Sequence, residues 1–229
     1  DGIRALVRSR GLGDVYKRQF KFCEAGLKFT FKISGSLEIN GRQNVPSDKS
    51  VISVSNHLSI IDPALCATAV SKEPRFLAKK ELFRFPVSIF LKFYGAFPLN
   101  RGRVDISAFQ WAKNQLSSKN NSLLIFPEGT RSKDQRIKRG YNGATLLAID
   151  TESIILPMGI YGTERITNYL QFLFPSKKVT VNIGEPFRVT NLPQKKNKEI
   201  YDLVTMEIMK RISSLLPENY RDIELDNSK

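Results

Sequence analysis

Three short apolar runs constrain the fold of this chain more than any other feature. They are VISVS (51–55), SLLIFP (122–127) and SIILPMGI (153–160), and polar or turn residues bound each of them. Such runs, rich in β-branched residues, are typical of strands buried on both faces of a sheet. Segments with helical spacing lie between them. The sequence therefore predicts a single α/β domain with a largely parallel central sheet covered by helices.

The other predicted elements follow the same alternation. Helices are expected from Pro63 over ALCATAV, from Asp105 to about Lys119, over NGATLLAID and over the C-terminal KNKEIYDLVTMEIMKRISSLL. Asp62 before Pro63 is typical of a helix N-cap followed by proline in the first turn. Strands are expected at LEINGRQNVP, RFLAK and KVTVNIGEPF, a strand or extended loop at GAFPLNR, and a very apolar helix at FPVSIFLKFY.

The first residues differ from the remainder of the chain. Residues 1–19 contain five arginines or lysines and no sustained periodicity, and they resemble a translated remnant of sequencing or assembly. We interpret them as a non-native extension and exclude them from the fold. On this interpretation the true N-terminus is missing, together with any membrane anchor that it carries. Residues 20–36 mix aromatics with scattered lysines and predict an amphipathic, membrane-proximal segment, and residues 37–229 form the folded domain.

The net charge of +14 predicts an acidic partner. Nucleic acid, an anionic membrane and a phosphorylated substrate are the classes that fit such a charge. The sequence shows no helix-turn-helix, RNP-type aromatic pattern or zinc spacing, which argues against nucleic acid. Two cysteines make no disulfide framework, so a reducing compartment is expected. No signal peptide and no uncharged run of membrane-spanning length is evident.

His57 is the single histidine of the chain and lies in SNHLSIIDP, five residues before Asp62. A loop between strand and helix allows the carboxylate of Asp62 to accept the Nδ1–H of the imidazole. That contact fixes the tautomer and leaves Nε2 as a base. The alternative is an ordinary loop histidine near an N-cap aspartate, which is the better interpretation of an isolated pattern of this kind.

FPEGTRS (126–132) follows a predicted strand and combines a turn glycine with a hydroxyl and a guanidinium. Backbone N–H groups, Thr130 and Arg131 suit an anion, because arginine grips phosphate in bidentate fashion. GAFPLNRG (95–102) places Arg101 after another predicted strand. Taken alone, the first motif is an ordinary polar turn and Arg101 a solvated surface residue.

In this order, NHLSIID, GAFPLNR, FPEGTRS and ILPMGI resemble the motifs of the glycerolipid acyltransferase family, which includes 1-acylglycerol-3-phosphate acyltransferases. The resemblance covers about residues 30–190 and makes 37–229 the acyltransferase domain. It implies that His57 is the general base and that Asp62 orients it. It also implies a phosphate-binding site for the acceptor, formed by Arg101, Glu128, Gly129, Thr130 and Arg131.

The resemblance implies transfer from acyl-CoA or acyl carrier protein to 1-acyl-sn-glycerol 3-phosphate (lysophosphatidic acid), giving phosphatidic acid with no cofactor. The chemistry agrees with these residues, because a thioester is already activated and needs only a base for the attacking hydroxyl. No GxSxG elbow and no spacing of metal ligands is present. Other acceptors remain open: glycerol 3-phosphate, another lysophospholipid or a lyso-ornithine lipid. A protein of another class, which binds membranes or nucleic acid without catalysis, is the last alternative.

A lipid acceptor predicts peripheral binding at the cytoplasmic face of the cell membrane. The apolar stripe between Phe83 and Tyr94 suits an interfacial helix, although such stripes more often belong to a core. KDQRIKRG (133–140) suits an anionic surface or an acidic acyl carrier protein, although a solvated loop fits it equally. The residues expected to contact the membrane are Arg84, Phe90, Lys92, Phe93, Lys133, Arg136, Lys138 and Arg139.

Overall fold

One seven-stranded sheet forms the centre of the structure. The computed structural model describes residues 21, 24–33, 36–72, 74–85, 88–89, 91, 95–100, 105–117, 121–166, 178–190 and 197–221. The strands are β1 (Ser36–Asn40), β2 (Val51–Ser55), β3 (Pro74–Lys79), β4 (Ala96–Leu99), β5 (Ser122–Ile125), β6 (Ile154–Tyr161) and β7 (Lys178–Ile183). Their order across the sheet is β1-β7-β6-β2-β5-β3-β4.

Helices cover both faces of this sheet. The five longest helices among the described residues are α1 (24–33), α2 (Asp62–Val70), α3 (Ile106–Ser117), α4 (Gly143–Thr151) and α5 (Lys198–Ser214). On one face α1 and α2 pack through buried residues such as Phe31 and Leu65. On the other face α3, α4 and α5 pack through Ala112, Leu147 and Ile208. All five residues of β2 are buried between these layers, including Ser53 and Ser55, as expected of a central strand that is covered on both faces.

The strand directions determine where a site can form. The pairs β2–β5, β2–β6, β3–β5 and β3–β4 are parallel, so these five strands run the same way. Strand β7 is antiparallel to β6, and β1 is parallel to β7. The prediction of a largely parallel sheet covered by helices is therefore confirmed. The carboxyl ends of five strands meet at one edge, where ligands bind in open α/β sheets.

Helix α2 departs from the prediction at its first residue. It begins at Asp62, its N-cap residue is Ile61, and no side chain caps it. The N-cap role predicted for Asp62 is therefore wrong. The carboxylate instead accepts hydrogen bonds from the loop before the helix, from the N–H groups of Leu58 and Ser59.

Two further predictions have mixed outcomes. The late strand predicted over 178–187 ends at Ile183, and after Gly184 the chain pairs again with β6 through a single bridge between Phe187 and Ile155. Pro186, which cannot donate to a ladder, lies in the gap. Most of the apolar helix predicted over 85–94 lies outside the described residues. Within this range Ser88, Ile89 and Leu91 are described as helical.

Candidate active site

The loops that follow β2, β5 and β6 meet at the carboxyl edge of the sheet. The backbone N–H of His57, after β2, donates to Oε1 of Glu128, after β5, at 3.0 Å. The hydroxyl of Thr163, after β6, donates to Oδ1 of Asp62 at 2.8 Å. These contacts bring polar residues that follow three different strands together at one site.

His57 and Asp62 form the contact expected from the sequence. Nδ1 of His57 lies 2.9 Å from Oδ2 of Asp62. The aspartate side chain is fully buried, whereas 16% of the histidine side chain is exposed. An ionised carboxylate donates no proton, so Nδ1 carries the hydrogen of this bond and Nε2 is the nitrogen left for a substrate. The contact is present, and the catalytic roles of the two residues stay predictions.

Backbone groups fix the Asp62 carboxylate from a second direction. Oδ2 accepts the N–H of Leu58 and the N–H of Ser59, each at 2.6 Å, in addition to the histidine. These donors come from the loop between His57 and the helix, so the loop is wrapped around the carboxylate. A buried carboxylate is stable only when its oxygens are paired in this way.

The imidazole is held by its ring and by its backbone. Its ring stacks on Phe126 with centroids 4.1 Å apart and an angle of 20° between the planes. The backbone carbonyl of His57 accepts the N–H of Ser132 at 2.8 Å. Phe126 and Ser132 are the first and last residues of FPEGTRS, so this motif builds one wall of the histidine site. The sequence indicated the motif but not the stacking.

Glu128 turns inward and joins two loops. Only 5% of the residue is exposed. Its oxygens accept the backbone N–H of His57 and, at 3.2 Å, that of Lys138. Burial raises the pKa of Glu128 to about 7, although both N–H bonds act in the opposite direction. Its predicted place at the site is observed, but the carboxylate faces backbone N–H groups.

The remainder of the FPEGTRS turn faces outward. Gly129 has a positive φ of 69°, and its N–H donates to the carbonyl of Phe126 at 3.0 Å. A Cβ at this position would lie 3.1 Å from the ring of Tyr141, so both conformation and space favour glycine. Thr130 and Arg131 follow and are exposed beside the histidine loop. They are therefore accessible to an anionic ligand.

Arg101 lies outside the described residues, but both flanks of its loop are described. Asn100, the last of these before it, donates from its backbone and its side chain to Oδ2 of Asp105, at 2.9 and 3.0 Å. Oδ1 of Asp105 accepts from the Ser107 hydroxyl and the N–H of Ala108 at the start of α3. These hydrogen bonds hold the pKa of Asp105 well below its usual range. Asp105 thus joins the end of β4 to α3, a role that the sequence analysis missed.

The predicted membrane contacts divide into two groups. Arg84, Lys133, Arg136, Lys138 and Arg139 are exposed, whereas Phe90, Lys92 and Phe93 lie outside the described residues. In the apolar stripe, Phe83 and Leu91 pack against the core. Phe85 is 84% exposed and Ile89 is 42% exposed. One part of the stripe thus belongs to the core and another part faces solvent.

Neither a metal-binding cluster nor a membrane-spanning helix occurs among the described residues. No cluster of three or more histidine, cysteine, aspartate or glutamate side chains suited to a metal ion occurs among them. None of the helices in this part of the chain has the length and apolar character needed to cross a membrane.

Comparison with known proteins identifies the family. The model of the acyltransferase family matches residues 36–161, more than half of the chain. The chain belongs to the acyltransferase family. The matched range contains the histidine loop, the FPEGTRS turn and strands β1 to β6. The protein is therefore an enzyme that transfers acyl groups, as the motifs indicated.

Relatives resemble the acyltransferase over most of its length. The 1-acyl-sn-glycerol-3-phosphate acyltransferase of Bacillus subtilis is 27% identical over 199 residues, 86% of this chain and 96% of the relative. The protein of that name from Streptococcus pneumoniae is 29% identical over 188 residues, 81% of this chain and 68% of the relative. The crystal structure of the 1-acyl-sn-glycerophosphate acyltransferase of Thermotoga maritima has a TM-score of 0.66 and 26% identity, covering 89% of this chain and 80% of that one.

Proposed function

We propose that the acyltransferase transfers an acyl chain from an acyl thioester to the free hydroxyl of 1-acyl-sn-glycerol 3-phosphate. The donor is acyl-CoA or acyl carrier protein, and the product is phosphatidic acid for phospholipid synthesis. The observation that carries the mechanism is the 2.9 Å contact of His57 with a fully buried Asp62. The acceptor is supported by the names of the relatives and by an exposed turn suited to phosphate beside that pair.

The reaction needs one proton carrier. Nε2 of His57 removes the proton of the acceptor hydroxyl as its oxygen attacks the thioester carbonyl carbon. The tetrahedral intermediate then collapses, the carbon–sulfur bond breaks, and the imidazolium returns the proton to the leaving thiolate. Asp62 holds the imidazole in the required tautomer and stabilises the imidazolium. The acceptor oxygen attacks the thioester directly and the products are an ester and a thiol, so this mechanism needs no enzyme nucleophile.

The acceptor phosphate binds at the FPEGTRS turn. Thr130 and Arg131 supply a hydroxyl and a guanidinium, and Arg101 adds a second guanidinium from the loop after β4. Glu128 contributes differently from its neighbours, because its oxygens accept backbone N–H groups and a carboxylate repels phosphate. It holds the histidine loop against the turn, so that the base and the bound phosphate keep a fixed separation.

Two substitutions of His57 test the mechanism. His57→Ala removes the base, and His57→Asn also removes it but retains a side-chain N–H for Asp62. Both variants should lose acyl transfer by ~10²-fold or more, because no other histidine can replace the base. Purified variants are assayed with an acyl thioester and lysophosphatidic acid, and thermal unfolding shows whether each is folded. Substantial activity in a folded variant would contradict the mechanism.

A panel of acceptors tests the substrate. Glycerol 3-phosphate, other lysophospholipids and a lyso-ornithine lipid are compared with lysophosphatidic acid at equal concentration, using acyl-CoA and acyl carrier protein in parallel. We expect the highest kcat/KM with lysophosphatidic acid. A higher kcat/KM with an acceptor that lacks a phosphate monoester would contradict the assignment of the FPEGTRS turn as the phosphate site.

The enzyme binds peripherally to the cytoplasmic face of the cell membrane. A lipid acceptor, a net charge of +14 and the exposed Phe85 beside the exposed Arg84 support this location. Basic residues near an anionic surface contribute about 1 kcal/mol each, and exposed aromatics add apolar burial.

A further inference from the structure

The buried carboxylate of Asp62 depends on a residue distant in sequence. Its Oδ2 accepts hydrogen bonds from the loop that contains His57. Its Oδ1 accepts the Thr163 hydroxyl at 2.8 Å, which is the one hydrogen bond to this oxygen in the described part of the chain. Both residues are fully buried. Water therefore cannot replace the hydroxyl without a rearrangement of the site.

The segment after β6 holds Thr163 in place. Gly162 has a φ of 88°, and a Cβ there would lie 2.3 Å from the carbonyl oxygen of Lys178, so the turn requires glycine. The carbonyl of Thr163 accepts the N–H of Ile166 at 2.9 Å. The hydroxyl of Ser59 donates in turn to the carbonyl of Ile166. The 163–166 turn and the histidine loop are thus joined at two points.

We propose that Thr163 is a positioning residue for the general base. Its hydroxyl fixes the plane of the Asp62 carboxylate, so that Oδ2 faces Nδ1 of His57 and Nε2 faces the acceptor hydroxyl. Without it, Oδ1 is a buried acceptor lacking a partner, and the carboxylate turns away from the imidazole to find one. This proposal rests on the proposed function of His57.

The test compares three variants. Thr163→Val replaces the hydroxyl by a methyl group of similar volume, and Thr163→Ser keeps the hydroxyl. Thr145→Val is the matched control, because Thr145 is also fully buried and bonds a hydroxyl, that of Thr205, at 2.7 Å on the other face of the sheet. We expect kcat to fall roughly 10- to 100-fold in Thr163→Val, with both KM values within about twofold. The kcat of Thr163→Ser should stay within a few-fold of wild type. Thr145→Val should lower thermal stability but leave kcat unchanged.

Nuclear magnetic resonance measures the positioning directly. Because the chain has one histidine, an imidazole spectrum contains the signals of His57 alone. Wild type and Thr163→Ser should show one tautomer and a downfield Nδ1–H proton. Thr163→Val should show mixed tautomers or lose that proton, and Thr145→Val should match wild type. If Thr163→Val does not fold, the smaller Thr163→Ala takes its place in both measurements.

The positioning role of Thr163 and the proposed function of His57 can be overturned independently of each other. Wild-type kcat and an unchanged imidazole spectrum in Thr163→Val would overturn the positioning role. A folded Thr163→Ser that behaves like Thr163→Val would overturn it as well, because the hydroxyl would then not be the group that matters. Activity in a folded His57→Asn would overturn the proposed function instead, whatever the spectra of the Thr163 variants show.

Discussion

Glu128 shows how one residue can link the stability of the site to pH. Burial raises its pKa to about 7, from an ordinary value of 4.5. Between these values the folded protein holds the proton and the unfolded chain releases it. The contribution of this group to the free energy of unfolding is therefore fully present below pH 4.5 and is lost as the pH rises through 7.

Glu128→Gln should remove that dependence. The free energy of unfolding of the variant, relative to wild type, should rise by about 3 kcal/mol between pH 4.5 and pH 8, because other titrating groups cancel in the difference. Urea unfolding of both proteins at the two pH values measures it. Glu185→Gln, which changes an exposed carboxyl group, is the control. A difference that does not vary with pH for Glu128→Gln would contradict the buried, proton-holding role.

Arg131 is the described guanidinium assigned to the acceptor phosphate. Arg131→Ala should raise the acceptor KM roughly 10- to 100-fold and leave the donor KM near that of wild type, because a charge-assisted contact contributes about 1.5–3 kcal/mol. Lys198→Ala, at the exposed start of α5, controls for the loss of one positive charge. A rise in the donor KM instead would assign Arg131 to the thioester side of the site.

At the scale of elements, the turn after β5 connects the sheet to the residues proposed to bind phosphate. The N–H of Gly129 bonds the carbonyl of Phe126, and the N–H of Tyr141 bonds that of Pro127 at 2.9 Å. The ring of Tyr141 covers Gly129. These contacts stabilise the turn, in which Glu128 is buried and Arg131 is exposed.

Gly129→Ala should distort this turn. We expect the free energy of unfolding to fall by ~1–2 kcal/mol, since alanine is strained at positive φ, and the acceptor KM to rise. Gly143→Ala is the matched control: it lies at the start of α4 with no atom near its added Cβ, so it should be neutral or slightly stabilising. Chemical unfolding and acyl-transfer kinetics are measured for both. Equal effects of the two substitutions would show that the conformation of Gly129 is not important for stability or acceptor binding.

Local patterns predicted the elements better than the contacts between them. Apolar runs were sufficient to place the main strands, and the order of the motifs, rather than the spacing of His57 and Asp62 alone, indicated that these two side chains meet. The N-cap prediction for Asp62 failed because a local preference lost to longer-range partners, including Thr163, 101 residues away. The sequence also did not separate Phe83, which packs on the core, from the exposed Phe85 two residues later. Tertiary packing decides such cases.

For the whole molecule, two exposed apolar groups lie beside one core layer. Helix α1 packs on that layer through Leu27 and Phe31 and leaves Phe29 and Ile33 exposed. Phe83 packs against the same layer, and Phe85 is exposed nearby in sequence. Both groups are therefore candidates for the apolar part of a membrane contact.

Vesicle sedimentation tests this arrangement. Binding to phosphatidylglycerol vesicles should fall with added salt, which screens the basic residues, but should not vanish. Phe85→Asp combined with Ile89→Asp should remove most of the salt-resistant part. Leu203→Asp, an exposed position on α5 across the sheet, should leave binding unchanged. Full binding by the double variant would place the contact elsewhere, with α1 the next segment to substitute.

Asn56 continues the hydrogen bonding of the sheet past the end of β2. Its side-chain amide donates to the carbonyl of Ile160 and accepts the N–H of the same residue, each at 2.8 Å. The amide thus acts as one more peptide group, directly before His57. Amide protons of this kind exchange with solvent only when the surrounding unit opens. We therefore expect the N–H of Ile160, and that of His57 on the buried Glu128, to exchange as slowly as those of the central strands, so that the loop of His57 keeps its geometry until the whole domain unfolds.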